Sequence, residues 1–292
     1  MSTLGRYLDR LYCRYDKSFL TSDPVQFPHA YVDTQDREIV AFLAALFAFG
    51  NVTSILNTVR RILTPMGPHP ATSLNGLTSG SAKAYRGFVH RWVSATDLYA
   101  LIRGMHRVLN EWGSLKCCFL AEHDPKSDDL SLAMGRFIAR LRAAIGEKSL
   151  GLRFLLNDPA TGAACKRFNM FLRWMARPAD GIDLGLWPEI SPRQLTIPVD
   201  THIARISQFL GLTQRRTTNW AMAREITDAL RSFAPDDPCK YDFALTRIGI
   251  VEGCRGYRHP KICPACPLDH VCRAPLRVSI HNDITPPFPL LI

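Results

Sequence analysis

The stretch IPVDTHIARISQFLGL, from Ile197 to Leu212, shows how most of this chain folds. A short extended segment enters a helix at Asp200, a residue type that caps helix N-termini because its carboxylate accepts N–H groups of the first turn. Apolar residues then recur at the spacing of one helix face: Ile203, Ile206, Phe209 and Leu210. Gly211 suits the left-handed position that ends a helix. The stretch therefore predicts a capped amphipathic helix.

The same helical period dominates the rest of the chain, and no alternating run is long enough for a central strand. The segments 63–81 and 177–198 are rich in proline and are predicted as loops. We predict helices at Leu4–Tyr12, Asp36–Phe49, Thr53–Leu63, Asp97–Trp112, Leu130–Ile145, Cys165–Ala176, Thr201–Leu210, Trp220–Phe233 and Tyr241–Val251. The sequence therefore predicts an all-α fold.

Composition limits the class of protein. The 292 residues are 47% hydrophobic and 21% charged, which is typical of a globular protein, and they carry a formal charge of +10. Such a positive excess favours a polyanionic partner, either nucleic acid or an anionic membrane surface. The N-terminal residues are too charged for a signal peptide, and the longest apolar run, 39–50, is too short to span a bilayer. We therefore expect a soluble, cytoplasmic protein without a membrane anchor.

Four of the nine cysteines cluster in CRGYRHPKICPACPLDHVC, residues 254–272. With no secretory signal, this pattern favours metal ligands or free thiols over disulfides. Zinc accepts four sulfurs, but its sites usually present two CxxC pairs. One CxxC with unequal outer arms favours a [4Fe–4S] cluster, whose irons are bound from different directions. The predicted ligands are Cys254, Cys263, Cys266 and Cys272, and the predicted small core residues are Cys13, Cys117, Cys118, Cys165 and Cys239.

The helix opening VDTHIAR, residues 199–205, followed by this cysteine loop resembles endonuclease III of the helix-hairpin-helix DNA glycosylase superfamily. The segments CKRFNMFLRWM and IPVDTHIARI resemble more closely an uncharacterised family, domain of unknown function 2400. That likeness extends towards the N-terminus through FLAALFAFGNVTSIL. The resemblance implies a two-lobed glycosylase-like fold. One lobe would combine 1–35 with 212–292 and hold the cluster loop, and the other, 36–211, would hold the hairpin.

The resemblance also implies that Asp200 is catalytic. Cleavage of an N-glycosidic bond develops positive charge on the sugar, which a nearby carboxylate stabilises. The carboxylate can also orient or deprotonate the attacking water or amine. The partial positive charge of the helix N-terminus keeps this carboxylate anionic. Capping and catalysis by Asp200 are therefore compatible.

The hairpin departs from the family pattern. The candidate, DPATGAACK at 158–166, has Ala160 where the pattern LPGVG has a glycine, and Ala164 where bifunctional members carry their Schiff-base lysine. Lys166 lies two residues further on, and a related archaeal oxoguanine glycosylase also has a displaced lysine. Lys166 is therefore a candidate nucleophile, and the alternative is that Lys166 and Arg167 contact phosphate or solvent. Gly162 would help to aim backbone N–H groups at a DNA phosphate.

Four further residues are candidate DNA contacts. Asn51 lies where relatives place a residue that fills the gap left by a flipped base. Arg173 could line a base pocket by stacking. Arg215 and Arg216 belong to a basic, hydroxyl-rich loop, 214–219, that suits phosphates.

Together these features predict a DNA N-glycosylase, with or without AP lyase activity. It would flip a damaged or modified base out of double-stranded DNA and excise it. One alternative is a non-catalytic iron–sulfur nucleic-acid-binding protein in which Asp200 only caps its helix. Another is a glycosylase-like enzyme that acts on RNA. We expect a [4Fe–4S] cofactor, a monomer, and a cytoplasmic location on the nucleoid when DNA is bound.

Overall fold

The computed structural model describes residues 2–276, and helices dominate this part of the chain. They are α1 Thr3–Arg14, α2 Gln26–His29, α3 Thr34–Leu46, α4 Val52–Leu63, α5 Pro70–Asn75, α6 Ala95–Trp112, α7 Leu115–Leu120, α8 Ser131–Ile145, α9 Leu150–Leu155, α10 Lys166–Ala176, α11 Thr201–Phe209, α12 Trp220–Arg231 and α13 Asp242–Ile250. Within the described residues, the strands are an antiparallel pair, β1 Val89–His90 and β2 Val93–Ser94. Short 3-10 turns lie at Lys17–Ser22, Thr64–Met66, Ser79–Tyr85, Pro159–Thr161, Pro192–Gln194, Cys263–Ala265 and Asp269–Val271.

The predicted all-α class is confirmed, and each of the nine predicted helices is present with its ends slightly shifted. The short helices α2, α5, α7 and α9 were not predicted, because four to six residues hold too few apolar positions to show a period. Among residues 2–276, none of the helices combines the length and apolar character that a membrane span requires.

Polar caps begin most of the longer helices. At the start of α3, Asp33 Oδ1 accepts hydrogen bonds from the N–H groups of Gln35 and Asp36 at 2.9 and 3.0 Å. Asn51 caps α4 by accepting from Ser54 N at 2.8 Å. Each cap satisfies N–H groups that have no partner inside the helix, which fixes where the helix starts.

Helix α3 lies at the centre of the core, where it packs against α2, α5 and α10. Its residues 39–46 are all buried. The buried Glu38 accepts hydrogen bonds from Leu115 N at 2.8 Å, Lys116 N at 3.1 Å and Trp187 Nε1 at 2.8 Å. Burial raises the pKa of this carboxyl, and the three N–H donors oppose that rise. Glu38 thereby joins α3 to α7 and to the long loop before α11.

The N-terminal helix packs on the C-terminal part of the chain. Helix α1 contacts α13 and the turn Asp269–Val271. Beyond α1, Tyr15 Oη donates to Glu252 Oε1 at 2.5 Å, and Arg14 pairs with the same carboxylate at 2.9 Å. One continuous hydrophobic core runs from Leu8 to Leu268.

Three of the five cysteines outside the C-terminal loop are buried, as predicted: Cys118, Cys165 and Cys239. The prediction of core positions for Cys13 and Cys117 is wrong, because both are exposed. Each lies on the solvent face of an amphipathic helix, α1 or α7.

Candidate active site

Lys166 and Asp200 lie next to each other in the structure. Lys166 is the first residue of α10, and Asp200 is the N-cap of α11. Lys166 Nζ is 3.5 Å from Asp200 Oδ2 and donates to Ala48 O at 3.4 Å. The structure thus brings together the two residues that were predicted separately as catalytic.

The two carboxylate oxygens of Asp200 have different partners. Oδ1 accepts from the backbone N–H groups of His202 and Ile203, both at 2.9 Å, and so caps α11. Oδ2 faces Lys166. Burial acts to raise the pKa of Asp200, but the charge of Lys166 and the two backbone N–H groups outweigh it, so the pKa is lowered. Asp200 is therefore anionic near neutral pH, and the oxygen that faces Lys166 takes no part in the helix cap.

This pair lines a cleft of about 340 Å³. The volume lies within the range of about 300–1,000 Å³ that is typical of ligand pockets. The walls come from α10 and α13, from the starts of α4 and α11 and from nearby loops. They include Asn51, Lys166, Trp174, Asp200, Asp242 and Arg247.

Unpaired polar atoms are concentrated at this cleft. Eight buried side-chain nitrogen or oxygen atoms in the described residues have no hydrogen-bond partner in the protein. Three of these atoms belong to residues that line the cleft: Trp174 Nε1, Asp242 Oδ1 and Arg247 Nε. Buried polar groups in folded proteins nearly always have partners. These three residues therefore place unsatisfied polar groups in or behind the wall of the cleft.

The predicted hairpin connects α9 to α10. Asp158 caps the turn Pro159–Thr161, and Gly162 follows at a φ of +79° with open space where a Cβ would stand. The carbonyl oxygen of Gly162 accepts from Trp220 N at 2.9 Å. Cys165 is also left-handed, at φ 47°, a conformation that costs a non-glycine residue roughly 1–2 kcal/mol. This residue turns the chain so that α10 starts at Lys166, opposite Asp200.

Asn51, Arg215 and Arg216 are exposed, as DNA contacts must be. Asn51 lines the cleft. Arg215 pairs with Glu225 at 2.6 Å, which offsets its charge. In the same loop, Thr218 shares a pocket with residues 163–168, which form the end of the hairpin and the start of α10. This basic loop therefore adjoins the hairpin.

Arg173 lines the cleft, as predicted for a residue of a base pocket, but burial and ion pairs leave its guanidinium no free charge for DNA. Its side chain is 3% exposed and pairs with Asp183, at 3.1 Å, and with Asp242. The charge of Arg173 is therefore used inside the protein.

Arg167 is wrong as a DNA contact for the same reason. Arg167 is buried, and its guanidinium carbon lies 4.0 Å from the centroid of the Phe154 ring. Its guanidinium also donates a hydrogen bond to the backbone carbonyl oxygen of Phe154. Burial lowers the pKa of Arg167 to about 10. An arginine enclosed in this way cannot reach a phosphate at the surface.

The four cysteines predicted as ligands line one pocket. Its walls also carry apolar side chains: Ile206, Phe209, Ile248 and Leu268. Burial raises the pKa of Cys266 to about 11 and also raises that of Cys272. Within residues 2–276, no group of three or more His, Cys, Asp or Glu side chains is arranged to hold a metal ion. The four thiols line the same pocket, so their role as ligands of an iron–sulfur cluster stays a prediction.

Sequence reasoning missed Asp242, the first residue of α13. It is 3% exposed, and its Oδ2 accepts from Arg173. Burial raises its pKa to about 6, although Arg173 opposes this. An Asp in the first turn of a helix is ordinary, because it complements the helix dipole, so the sequence carried no signal for a functional role.

Comparison with known proteins gives one finding. No curated protein and no solved structure matches the chain. A family model described as a protein of unknown function, DUF2400, matches residues 23–251. The matched region contains Lys166, Asp200 and Asp242 and ends before Cys254. Because this region is well over half of the sequence, the chain belongs to the DUF2400 family.

Proposed function

We propose that the protein is an N-glycosylase that excises a damaged or modified base from double-stranded DNA. The observation that carries the proposal is the Lys166–Asp200 pair in the wall of the cleft, where two helices begin. The amine of Lys166 and the carboxylate of Asp200 lie 3.5 Å apart, and the pKa of the carboxylate is lowered. An amine is suited to attack the sugar carbon, and a carboxylate is suited to stabilise the positive charge on the sugar. The charge of +10 suits a phosphate backbone.

Two chemical routes are open to this pair. In the first, Asp200 orients a water molecule, takes its proton and stabilises the positive charge on the sugar as the base departs. In the second, Lys166 gives a proton to Asp200, and its amine bonds to the sugar carbon as the bond to the base breaks and the base leaves with the electron pair. The attached nitrogen loses a proton to solvent, and the bond from the sugar carbon to the ring oxygen then breaks to give the Schiff base. Both routes require the Asp200 oxygen that faces Lys166, since the other oxygen caps α11.

The surroundings of the cleft support a nucleic acid ligand. The hairpin with its left-handed Gly162 lies just before Lys166, and the exposed basic loop 214–219 adjoins it. Asn51 lies on the other wall of the cleft. Phosphates held at the hairpin and loop would leave the nucleotide between them close to Asp200.

We further propose a [4Fe–4S] cluster on Cys254, Cys263, Cys266 and Cys272. The support is the convergence of four thiols on one apolar pocket, lined also by residues of α11 and α13. When bound, the cluster would fix the C-terminal loop against these two helices, whose first residues belong to or border the cleft. Its role in this proposal is structural.

The proposed activity is tested with a panel of duplexes, each carrying one lesion, such as uracil, hypoxanthine, 8-oxoguanine or an alkylated purine. Chromatography detects a released base, and alkaline cleavage detects the abasic site. We expect release from at least one duplex and none with Asp200→Asn. Binding of the duplexes without release from any of them would identify a non-catalytic binding protein. Release from structured RNA alone would move the activity to RNA.

A further inference from the structure

Asp242 is a buried carboxyl in the wall of the cleft that holds Asp200 and Lys166. Its Oδ2 accepts from Arg173, whereas its Oδ1 has no partner in the protein. Leaving a buried polar atom unpaired costs about 1–3 kcal/mol, and such atoms in native structures often have a functional role. Asp242 thus combines a place in the wall of the cleft with an oxygen that the protein leaves without a hydrogen bond.

An ion-pair network fixes Asp242 in this position. Arg173 pairs with Asp242 on one side and with Asp183 on the other, and Arg177 pairs with Asp180, Asp183 and Asp237. Two guanidinium cations thus face four carboxyl groups, of which Asp183 and Asp242 are buried and Asp180 and Asp237 are partly exposed. The carboxyls outnumber the cations, which favours a proton on a buried carboxyl. Among these four, Asp242 is the one that lines the cleft, so a proton bound there can pass to a ligand.

Charged and titratable groups on every side act on Asp242. Desolvation raises its pKa to about 6, Arg173 and Lys166 of α10 lower it, and Asp200 at the start of α11 raises it. Cys239, in the turn before α13, is buried beside it. The pKa of Asp200 is shifted the opposite way. Two carboxyls of opposite shift in one site are typical of an acid and a base that work together.

We propose that Asp242 is the catalytic acid of the cleft, an inference that rests on the proposed N-glycosylase activity. The bond between the sugar carbon and the base nitrogen breaks, its electron pair moves to the base, and the base takes the proton of the Asp242 carboxyl. A water molecule bonds to the sugar carbon and gives a proton to Asp200. Proton return from Asp200 to Asp242 through solvent completes the cycle, so the net reaction consumes one water and releases a neutral base.

The test uses Asp242→Asn in the full chain. Asn keeps an oxygen that can accept from Arg173 and an N–H that can donate to a ligand, but it cannot transfer a proton. We expect this variant to bind a duplex containing a tetrahydrofuran abasic analogue as the wild type does. Its single-turnover excision, on a duplex that the wild type cuts, should fall by roughly 10²–10⁴.

Asp36→Asn is the control, because Asp36 lies outside the ion-pair network of Asp242. Asp36 is as buried as Asp242, at 3% exposed, but it accepts its hydrogen bond from Ala71 N and does not line the cleft. Asp36→Asn should therefore lower the melting temperature, while excision stays near the wild-type rate. Equal losses of excision in both variants would show that Asp242 only supports the fold, and would overturn the inference.

The pH profile provides a test that needs no variant. An acid must be protonated, so the wild-type rate should fall as pH rises through the pKa of Asp242, about 6. In Asp242→Asn that fall should disappear. A wild-type rate that is flat or rises between about pH 5 and 8 would overturn the inference even if the variant does not fold. If the wild type releases no base from any duplex, the proposed N-glycosylase activity is refuted together with this inference. If the wild type is active and Asp242→Asn is fully active, only the role of Asp242 as the acid is refuted.

Discussion

Replacing Asp200 with Asn removes its charge and keeps its helix cap. The amide oxygen can accept the same two hydrogen bonds from His202 and Ile203. The substitution removes the ion pair with Lys166. The side chains of Lys166 and Asp200 are 29% and 31% exposed, respectively. A pair with that exposure contributes about 0.2–1 kcal/mol, and a charge at a helix N-terminus contributes about 0.3–1 kcal/mol. We expect Asp200→Asn to lose about 1 kcal/mol, a fall in Tm of roughly 2–4 °C.

Asp33 provides the matched control for the cap. Its Oδ1 caps α3 with the same geometry, and Asp33 does not line the cleft. Asp200→Ala and Asp33→Ala should each lose about 1 kcal/mol more than the corresponding Asn variant, because Ala cannot cap a helix. Thermal unfolding of the four variants measures the cap at each position.

Excision separates the cap from the chemistry. In single-turnover assays on a duplex that the wild type cuts, Asp200→Asn should be slower by about 10² or more, whereas Asp33→Asn should match the wild type. DNA binding by Asp200→Asn should stay similar or tighten, since one repulsion with phosphate is removed. Excision by Asp200→Asn at near the wild-type rate would refute the catalytic assignment and leave Asp200 as a cap only.

Three further outcomes are expected. If the Lys166 amine attacks the sugar, borohydride traps a covalent protein–DNA adduct that Lys166→Gln abolishes, whereas base release without an adduct indicates the water route. Cys266→Ser should lose iron and stability, whereas the control Cys13→Ser should not, because Cys13 is exposed and lies outside the cysteine loop. Stoichiometric zinc in protein made with iron available would contradict the cluster. Duplex binding should weaken with salt at a log–log slope of roughly −3 to −6, and a flat dependence would argue against a nucleic acid partner.

The stability contributed by Asp200 should also depend on pH. Its folded pKa lies below the ordinary value of 3.8, so its contribution is present above pH 3.8 and is lost as pH falls through the folded pKa. The melting temperatures of the wild type and of Asp200→Asn should therefore converge under strongly acidic conditions. A difference that persists there would mean that the carboxylate's charge is not what stabilises the native state.

The helical fold was predictable because the longer helices repeat their apolar face over several turns. For α3 the apolar run is nearly continuous, and the structure places that helix in the centre of the core. The short helices were not predictable, because their ends are set by tertiary contacts. Helix α7, for example, starts where the buried Glu38 accepts its first N–H groups.

The candidate site was only partly predictable. Asp200 could be identified from its cap position and motif, but its contact with Lys166 depends on tertiary packing, in which α10 lies on α3 and α11 lies on α13. The error at Arg167 and the unexpected burial of Arg173 have one cause. Helix α10 is buried on nearly all sides, whereas sequence reasoning places arginines on a solvent face.

The division of Asp200 into one capping oxygen and one that faces Lys166 has an evolutionary consequence. Selection for a stable α11 alone would accept Asn, Ser or Thr at this position, since each can cap a helix. Under the proposed function, only selection for the reaction requires a carboxylate there. The proposal therefore predicts that a DUF2400 protein with Asn or Ser at this position would fold and could still bind, but would not excise a base.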